Sequence, residues 1–324
     1  MTPPHGSTGS TRGRQANERD CPSHRRQCGR GAYVLSAHSA VSDSAANSDL
    51  DVDARCAVVT GGGHGIGRAL AEALAARGAR VVVADINQDR AEKVARRVNG
   101  LGVVCNVGER AEVFDLVAQA EAAFGPVHVF CSNAGVADDH YDLSSPPEEV
   151  TNIVNVNLLA HVWAAQAVVP GMVARGTGYI GQTISSAALI TGPSGLSYTL
   201  TKHGALGFAE WLSLNYSHLG ITVSCLCPNA VNTGMLGRNE DDQAAFAERD
   251  DVVMRNIGEI VEPELCAAML LEGLAEGHFL VLPHPRVGES FVRKASDYDR
   301  WLEGTNRKLR RMRGEEFPDG RTSS

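Results

Sequence analysis

The chain has 324 residues, of which 43% are hydrophobic and 21% charged, as in ordinary soluble globular proteins. Its formal net charge of −8 gives no footprint of the basic surface that binding to nucleic acid or to an anionic membrane would need, so neither partner is predicted. The sequence contains no unbroken apolar run long enough for a membrane-spanning helix, so none is predicted.

The first 52 residues differ in composition from the rest of the chain. They are rich in Ser, Gly, Arg and Pro and contain few large apolar residues, which is typical of disordered segments. Neither an amphipathic Arg/Ser helix of the mitochondrial type nor the apolar core of a secretory signal can be drawn there. We therefore predict a disordered N-terminal extension over 1–52 and a cytoplasmic protein.

Eight cysteines are scattered along the chain, several of them in apolar runs where a free thiol behaves as a small hydrophobic side chain. Cys21, His24 and Cys28 could be metal ligands, but no second ligand pair follows them. We predict reduced thiols and no metal site.

From residue 53 to 284, short β-branched runs alternate with Ala- and Leu-rich helical stretches. The predicted strands lie near residues 56–60, 80–84, 102–105, 127–131, 178–184, 221–227 and 278–282. The predicted helices lie near residues 65–77, 88–98, 110–124, 147–174, 197–219 and 263–276. This alternation predicts one α/β domain with a doubly wound, seven-stranded parallel sheet.

Two segments fall outside this pattern. Residues 232–260 contain no predicted strand and carry a cluster of acidic residues, which is usual for a solvated surface. Their place after the sixth strand also suits a mobile lid. Residues 285–324 are predicted to form a C-terminal helix, amphipathic over 285–312, followed by a tail.

The first predicted strand runs directly into a glycine-rich turn. Residues 61–67 read Gly-Gly-Gly-His-Gly-Ile-Gly, and a predicted helix follows. Glycines let the backbone turn tightly and let a pyrophosphate approach the helix N-terminus, where free N–H groups and the helix dipole favour anions. The order strand, glycine turn, helix predicts a dinucleotide site in a Rossmann fold.

The second predicted strand ends at Asp85. A carboxylate at this place accepts hydrogen bonds from the adenosine ribose and repels a 2′-phosphate, which favours NAD over NADP. The alternative is that Asp85 only caps the next helix, and Asn87 is another candidate for that cap.

Two later motifs, Asn133-Ala-Gly135 and Tyr198-Thr-Leu-Thr-Lys202, complete a pattern that resembles the short-chain dehydrogenase/reductase family over about residues 55–283. The resemblance implies an NAD-dependent enzyme that interconverts a secondary alcohol and a ketone. It also implies the following cofactor-binding residues: Gly61, Gly65, Ile66, Gly67, Asp85, Ile86, Asn106, Val107, Asn133, Ala134, Gly135, Tyr198, Lys202, Val231 and Thr233.

Tyr198 and Lys202 have the chemistry that this reaction needs. Ketone reduction requires a proton donor at the oxygen, and alcohol oxidation requires a base for the same proton. A free tyrosine has a pKa of about 10. Because Lys202 lies four residues further on the same helix face, we expect its ammonium to lower the pKa of Tyr198. The resemblance implies that Lys202 also binds the nicotinamide ribose.

The active serine is either Ser185 or Ser186, because the alternation of side chains along a strand lets only one of them face the substrate. By its likeness to the family's Ser-Ser pattern we assign Ser186. Asn157 resembles the family's helix asparagine that holds a water beside the lysine. The predicted catalytic set is therefore Asn157, Ser186, Tyr198 and Lys202.

Three positions depart from the family's pattern. Asn106 stands where many members have an aspartate near the adenine, Asn229 follows Pro228 in place of a glycine, and Leu189 replaces a common glycine. None of these changes removes a chemical group that the mechanism needs.

The sequence leaves two other functions open. One is an NADPH-dependent ketoreductase, and the other is a silent dinucleotide-binding protein, which the presence of both Tyr198 and Lys202 argues against. Candidate pocket residues suggest an apolar, steroid-like, terpenoid or acyl substrate, although ordinary packing explains them equally well: Val136, Leu189, Ile190, Met235 and Leu236. By resemblance, the long helices over 147–174 and 197–219 would pair in a homodimer or homotetramer.

Overall fold

The structure, a computed structural model, describes residues 50–138, 143–234, 258–312 and 314–315. Several features predicted from the sequence lie outside these ranges: nearly all of the N-terminal extension, most of the lid at 232–260, Cys21, His24, Cys28, Met235 and Leu236.

A parallel sheet of seven strands forms the centre of the described chain. Its strands are β1 Cys56–Thr60, β2 Arg80–Asp85, β3 Leu101–Val104, β4 Val127–Ser132, β5 Gly178–Thr183, β6 Ile221–Leu226 and β9 Leu280–Val281. Two further strands, β7 Ala230–Val231 and β8 Ile260–Val261, pair only with each other in the described chain. The order in the sheet is β3-β2-β1-β4-β5-β6-β9, which confirms the predicted doubly wound sheet. Because the winding reverses between β1 and β4, a ligand crevice is expected at the carboxyl ends of these two strands.

Helices cover both faces of the sheet. They are α1 Gly65–Ala76, α2 Gln88–Arg97, α3 Arg110–Phe124, α4 Pro147–Val154, α5 Ala160–Arg175, α6 Leu196–Tyr216, α7 Pro263–Glu276, α8 Pro285–Ser296 and α9 Tyr298–Met312. Alternation along β1 sends Val58 to the face covered by α3, α5 and α6, and Val59 to the face covered by α1, α2 and α7. This arrangement leaves the loops at the carboxyl edge free to build a site.

The predicted helix over 147–174 is interrupted at its middle. A π-helical turn at Asn155–Leu159 separates α4 from α5. Single π-turns inside helices often occur at functional sites, since the extra residue changes the direction in which side chains point.

The continuous helical stretch Pro147–Arg175 is long and apolar enough to cross a membrane by length and composition alone, with a mean hydropathy of 1.4. Core helices of soluble proteins meet the same criterion. Here α5 places Val168, Val169 and Met172 in the core against the sheet, which accounts for the apolar composition of this helix.

Two local features differ from the prediction. Ile260, in a segment for which no strand was predicted, pairs with Ala230 in a two-stranded parallel ladder of β7 and β8. The segment 285–312 forms two helices because Asp297 takes an extended conformation, with φ −155° and ψ 90°. The Asp297 carboxylate accepts a hydrogen bond of 3.1 Å from the Arg300 N–H and so starts the second helix.

Candidate active site

A cavity of about 390 Å³ opens at the carboxyl ends of the central strands, where the winding reverses. Of the predicted cofactor-binding residues, all except Gly67 line it. The lining residues that the sequence prediction named are Gly61, Gly65, Ile66, Asp85, Ile86, Asn106, Val107, Asn133, Ala134, Gly135, Tyr198, Lys202, Val231 and Thr233. The structure therefore brings together residues that lie far apart along the chain.

The glycine turn is packed so closely that side chains would fill it. Gly61 has a positive φ of 59°, and a Cβ there would lie 2.9 Å from Ala134 Cα. A Cβ on Gly67 would overlap the carbonyl oxygen of Gly61. Gly67 is therefore needed for the tight turn, although it does not itself line the cavity. The Asn133 side chain closes the turn by donating to Thr60 O over 3.0 Å. This glycine cradle at the N-terminus of α1 fits the pyrophosphate of a dinucleotide.

Asp85 lies at the end of β2, buried beside the glycine turn. Its carboxylate accepts hydrogen bonds from the N–H groups of Gly63 and Asn87, each at 3.0 Å. The cap of α2 is Asn87, whose side chain accepts from the Arg90 N–H over 3.0 Å. The alternative that Asp85 only caps this helix is therefore wrong. Arg90, which the sequence prediction did not name, also lines the cavity.

Asn106 forms part of the same end of the cavity. Its side-chain oxygen accepts a hydrogen bond of 3.0 Å from the Gly108 N–H, which fixes the turn after β3. Ile86, which is 70% exposed, and Val107 give this end of the cavity apolar walls.

The catalytic motif lies at the start of α6, and a buried carboxylate caps this helix. Asp138, which is 2% exposed, accepts from the N–H of Ser197 over 3.1 Å and from the N–H of Tyr198 over 3.0 Å. A carboxylate at a helix N-terminus is favoured by the helix dipole and satisfies N–H groups that have no partner within the helix. The sequence prediction missed Asp138, because about sixty residues separate it from the groups it binds.

The pKa of Tyr198 is raised above its ordinary value. Burial is the main cause, a hydrogen bond with the Ser185 side chain acts in the opposite direction, and the nearby Cys227 and Asp138 add to the rise. The Lys202 Nζ lies 5.2 Å from the centre of the tyrosine ring. The expectation that Lys202 brings the pKa of Tyr198 below its ordinary value is therefore not met, because burial dominates.

Lys202 is itself buried, with 3% of its surface exposed. Burial lowers the pKa of its ammonium to about 8, and the neighbouring Cys227 acts weakly against this change. Gly135 allows the close approach, since a Cβ there would lie 3.5 Å from the lysine Nζ and 3.3 Å from Asn157 Oδ1. This proximity places the lysine, the asparagine and the tyrosine in one cluster.

Asn157 lies in the π-turn, fully buried behind the cavity lining. Its amide binds the backbone of Val136 twice, accepting from the N–H and donating to the carbonyl oxygen, both at 2.8 Å. The predicted asparagine therefore anchors the segment that follows β4, in addition to lying next to Lys202.

His161 lies one helical turn beyond Asn157 and is 1% exposed. Neither ring nitrogen has a hydrogen-bond partner within the described part of the chain. Burial, with a contribution from the charge of Lys202, lowers the pKa of His161 to about 3, so the ring is neutral at physiological pH. No signal in the sequence distinguished this histidine from an ordinary core residue.

The geometry favours Ser185, the alternative to the predicted Ser186, as the serine that faces Tyr198. The Ser185 side chain lines the cavity together with Tyr198 and lies close enough to lower the pKa of the tyrosine. The Ser186 hydroxyl instead lies 3.1 Å from the side-chain oxygen of Asn229, to which it donates. β5 ends at Thr183, before both serines, so strand alternation does not decide between them.

The apolar residues proposed for the pocket divide into two groups. Val136 lines the cavity, and 36% of its surface is exposed. Leu189, in contrast, is 2% exposed and belongs to the core, so its assignment to the pocket wall is wrong. Lining residues that the sequence prediction did not name include Val156, Thr183 and Ile184.

The glycine turn and the Tyr198–Lys202 pair can be compared with known families at this point. The family model described as short chain dehydrogenase matches residues 55–244, which is more than half of the chain. The chain belongs to the short-chain dehydrogenase family. The family assignment made from the motifs is thereby confirmed.

Relatives in this family include reductases and dehydrogenases of different substrates. The chain is 32% identical over 231 residues to mouse (Mus musculus) 17-beta-hydroxysteroid dehydrogenase 13, covering 69% of this chain and 71% of the relative. It is 33% identical over 199 residues to the 3-oxoacyl-(acyl-carrier-protein) reductase of Escherichia coli K12, covering 60% of this chain and 81% of the relative.

A solved structure also matches the fold. It is a short-chain dehydrogenase/reductase from Burkholderia phymatum in complex with NAD, with a TM-score of 0.69 and 26% sequence identity. The match covers 77% of this chain and 96% of the Burkholderia chain. The family and the fold together make the protein an oxidoreductase of the Rossmann type.

Proposed function

We propose that the protein interconverts a secondary alcohol and a ketone with NAD(H), and that Tyr198 is the general acid and base. The observation that carries this proposal is that Tyr198, Ser185 and Lys202 line the same cavity as the glycine turn. A proton donor and a dinucleotide cradle thus share one cavity.

The residues divide the chemistry between them. The bound nicotinamide would supply or accept the hydride at the substrate carbon. Because its pKa is raised, Tyr198 holds its proton at neutral pH and can donate it to a ketone oxygen. The Ser185 hydroxyl can orient that oxygen. The Lys202 ammonium lies near the ring, where its charge would offset a phenolate when the proton leaves.

The choice of NAD rests on Asp85. Its buried carboxylate lies in the cavity wall next to the glycine turn, where a 2′-phosphate would meet negative charge. The related Burkholderia structure contains NAD, which supports the same choice. Arg90 lines the same cavity and favours a second candidate, the NADPH-dependent reductase, since its guanidinium could pair with a 2′-phosphate.

The walls beyond the motif residues support an apolar ketone. Val136, Val156 and Ile184 line the cavity. Two of the relatives are named for hydroxysteroid and 3-oxoacyl substrates. We infer a substrate of one of these two classes.

The cytoplasmic location remains a prediction from the sequence.

We also propose a homo-oligomer that forms through α6. Four large apolar side chains of this helix are exposed, and their spacing places them on one face: Leu196, Leu200, Trp211 and Leu214. Light scattering of the purified protein should give the mass of a dimer or tetramer, and Leu200→Glu with Leu214→Glu should reduce it. A monomeric wild-type protein would contradict this proposal.

The function is tested by turnover with defined ketones. The protein is incubated with NADH or NADPH and one of three ketones: a 17-ketosteroid, a 3-oxoacyl thioester or a medium-chain 2-alkanone. The rate of reduction is measured as the rate at which the reduced cofactor disappears. We expect the wild-type protein to reduce at least one ketone, and to do so faster with NADH than with NADPH. In Asp85→Ala, the rates with NADH and NADPH should differ less than in the wild type. A clear preference for NADPH would reject Asp85 as the selector, and no reduction of any ketone would reject the proposed reaction.

A further inference from the structure

The C-terminal helices reach the serine-bearing segment of the active site through a buried lysine. Lys294, on α8, is 5% exposed. Its Nζ donates a hydrogen bond of 2.9 Å to the carbonyl oxygen of Leu189, which lies 105 residues earlier in the chain. Buried lysines are uncommon, because the ammonium loses its hydration unless other groups replace it.

Two aromatic rings of α9 hold the same ammonium. The Nζ lies 5.4 Å from the ring centre of Tyr298 and 5.2 Å from that of Trp301, both within cation–π range. One lysine therefore joins three parts of the chain: α8, α9 and the loop that contains Leu189.

A second attachment lies at the other end of α8. His284, the residue before this helix, accepts a hydrogen bond of 3.1 Å at Nδ1 from the Asn229 N–H. The Asn229 side chain in turn accepts the hydroxyl of Ser186 at 3.1 Å. Helix α8 is thus attached at both ends to the segment that follows Ser185, through Leu189 directly and through Asn229 to Ser186.

The segment between these attachments, residues 186–189, is short and directly follows Ser185. The N–H groups of Leu189 and Ile190 donate to the Ser186 carbonyl oxygen over 3.0 and 2.9 Å, which makes one tight turn directly after Ser185. Val287 of α8 is buried in the same core cluster as Leu189, so apolar packing supports the contact.

We propose that Lys294 is a positioning residue of the active site, which holds the Leu189 carbonyl and so fixes the turn that directs the Ser185 hydroxyl towards Tyr198. The C-terminal helices α8 and α9 then help to determine the geometry of the substrate site. This inference rests on the proposed function for its kinetic consequences, but the attachment itself can be measured without a substrate.

Lys294→Met keeps the length of the side chain and removes the donor. The control is Lys308→Met, which changes an exposed lysine of α9. Hydrogen–deuterium exchange of the full-length protein should show the amides of Leu189 and Ile190 exchanging about tenfold faster in Lys294→Met only, as expected for loss of one charged hydrogen bond. Lys294→Arg, which retains a donor, should restore much of the protection.

The kinetic readout separates positioning from simple stabilisation. When the turn loosens, the hydrogen bond from Ser185 weakens, so the pKa of Tyr198 should rise. The pH midpoint of alcohol oxidation should then shift upwards and the KM for the ketone should increase, while the affinity for NADH stays unchanged. A purely structural lysine would lower the melting temperature and leave the pH midpoint in place.

The outcomes distinguish the two proposals. Equal exchange at Leu189 and Ile190 in Lys294→Met and Lys308→Met would overturn the attachment, whatever the protein catalyses. Faster exchange with an unchanged pH midpoint would overturn the positioning role. If Lys294→Met does not fold, Lys294→Gln provides the same comparison with a shorter, uncharged side chain. Failure of wild-type turnover would reject the proposed function alone.

Discussion

Replacement of Asp138 by alanine should destabilise the protein by removing the cap of the catalytic helix. The carboxylate is buried and accepts from the N–H groups of Ser197 and Tyr198. A hydrogen bond to a charged group contributes about 1.5–3 kcal/mol, and loss of a helix cap costs about 1 kcal/mol. Because water can replace part of these contacts in the variant, we expect the free energy of unfolding to fall by about 3 kcal/mol.

Urea denaturation measures this change directly. Asp89→Ala is the matched control, because Asp89 lies exposed in the first turn of α2 and its loss should cost about 0.5 kcal/mol. Asp138→Asn retains an acceptor and removes the charge. Since that charge adds to the effect of burial on the pKa of Tyr198, the pH midpoint of alcohol oxidation should move downwards in Asp138→Asn. Equal free energies of unfolding for Asp138→Ala and Asp89→Ala would refute this account of the cap.

Three further predictions concern the site. Ser185→Ala should lower kcat about 100-fold, as when a donor to a reacting oxygen is lost, while Ser186→Ala should keep most of its turnover; the reverse order would restore the sequence-based assignment. Gly67→Ala should abolish NADH binding measured by fluorescence, because the Cβ would overlap the carbonyl oxygen of the first glycine in the turn. The pKa of His161 is about 3 in the folded protein and near 6.5 in the unfolded chain, so the unfolded state binds more protons in acid. The free energy of unfolding should therefore fall as the pH drops below about 6.5, by about 1.4 kcal/mol per pH unit. Urea denaturation from pH 7 to pH 5 should show that the free energy of unfolding falls less in His161→Leu than in the wild type. In His203→Leu, which changes an exposed histidine, it should fall as much as in the wild type. Equal pH slopes in the two variants would contradict this cause.

The sheet and the cofactor cradle could be predicted because their signals are local. Strand β1, the glycine turn and α1 follow one another within about twenty residues, and apolar runs mark most strands of the sheet. Asp85 could be placed for the same reason, since it directly follows the apolar run of residues 81–84 in β2. The parallel order then brings these ends to one edge.

The remaining features depend on contacts that sequence spacing does not encode. The choice between Ser185 and Ser186 depended on where β5 ends, and it ends before both of them. Asp138 and Lys294 bind groups that lie 59 and 105 residues away in the chain, so neither has a local signature. The direction in which the pKa of Tyr198 shifts depends on the burial of the side chain, which the residue types alone do not give.

The central claim is that Tyr198 transfers the proton while a nicotinamide supplies the hydride. The most direct measurement uses NADH deuterated at the transferring carbon, with the 17-ketosteroid or the 3-oxoacyl thioester as acceptor, and mass spectrometry of the product alcohol. The wild-type protein should place deuterium on the carbinol carbon, and Tyr198→Phe should still bind NADH but form almost no labelled alcohol. Equal labelling by wild type and Tyr198→Phe would contradict the role of the tyrosine, and NADH consumption without labelled alcohol would contradict the proposed reaction.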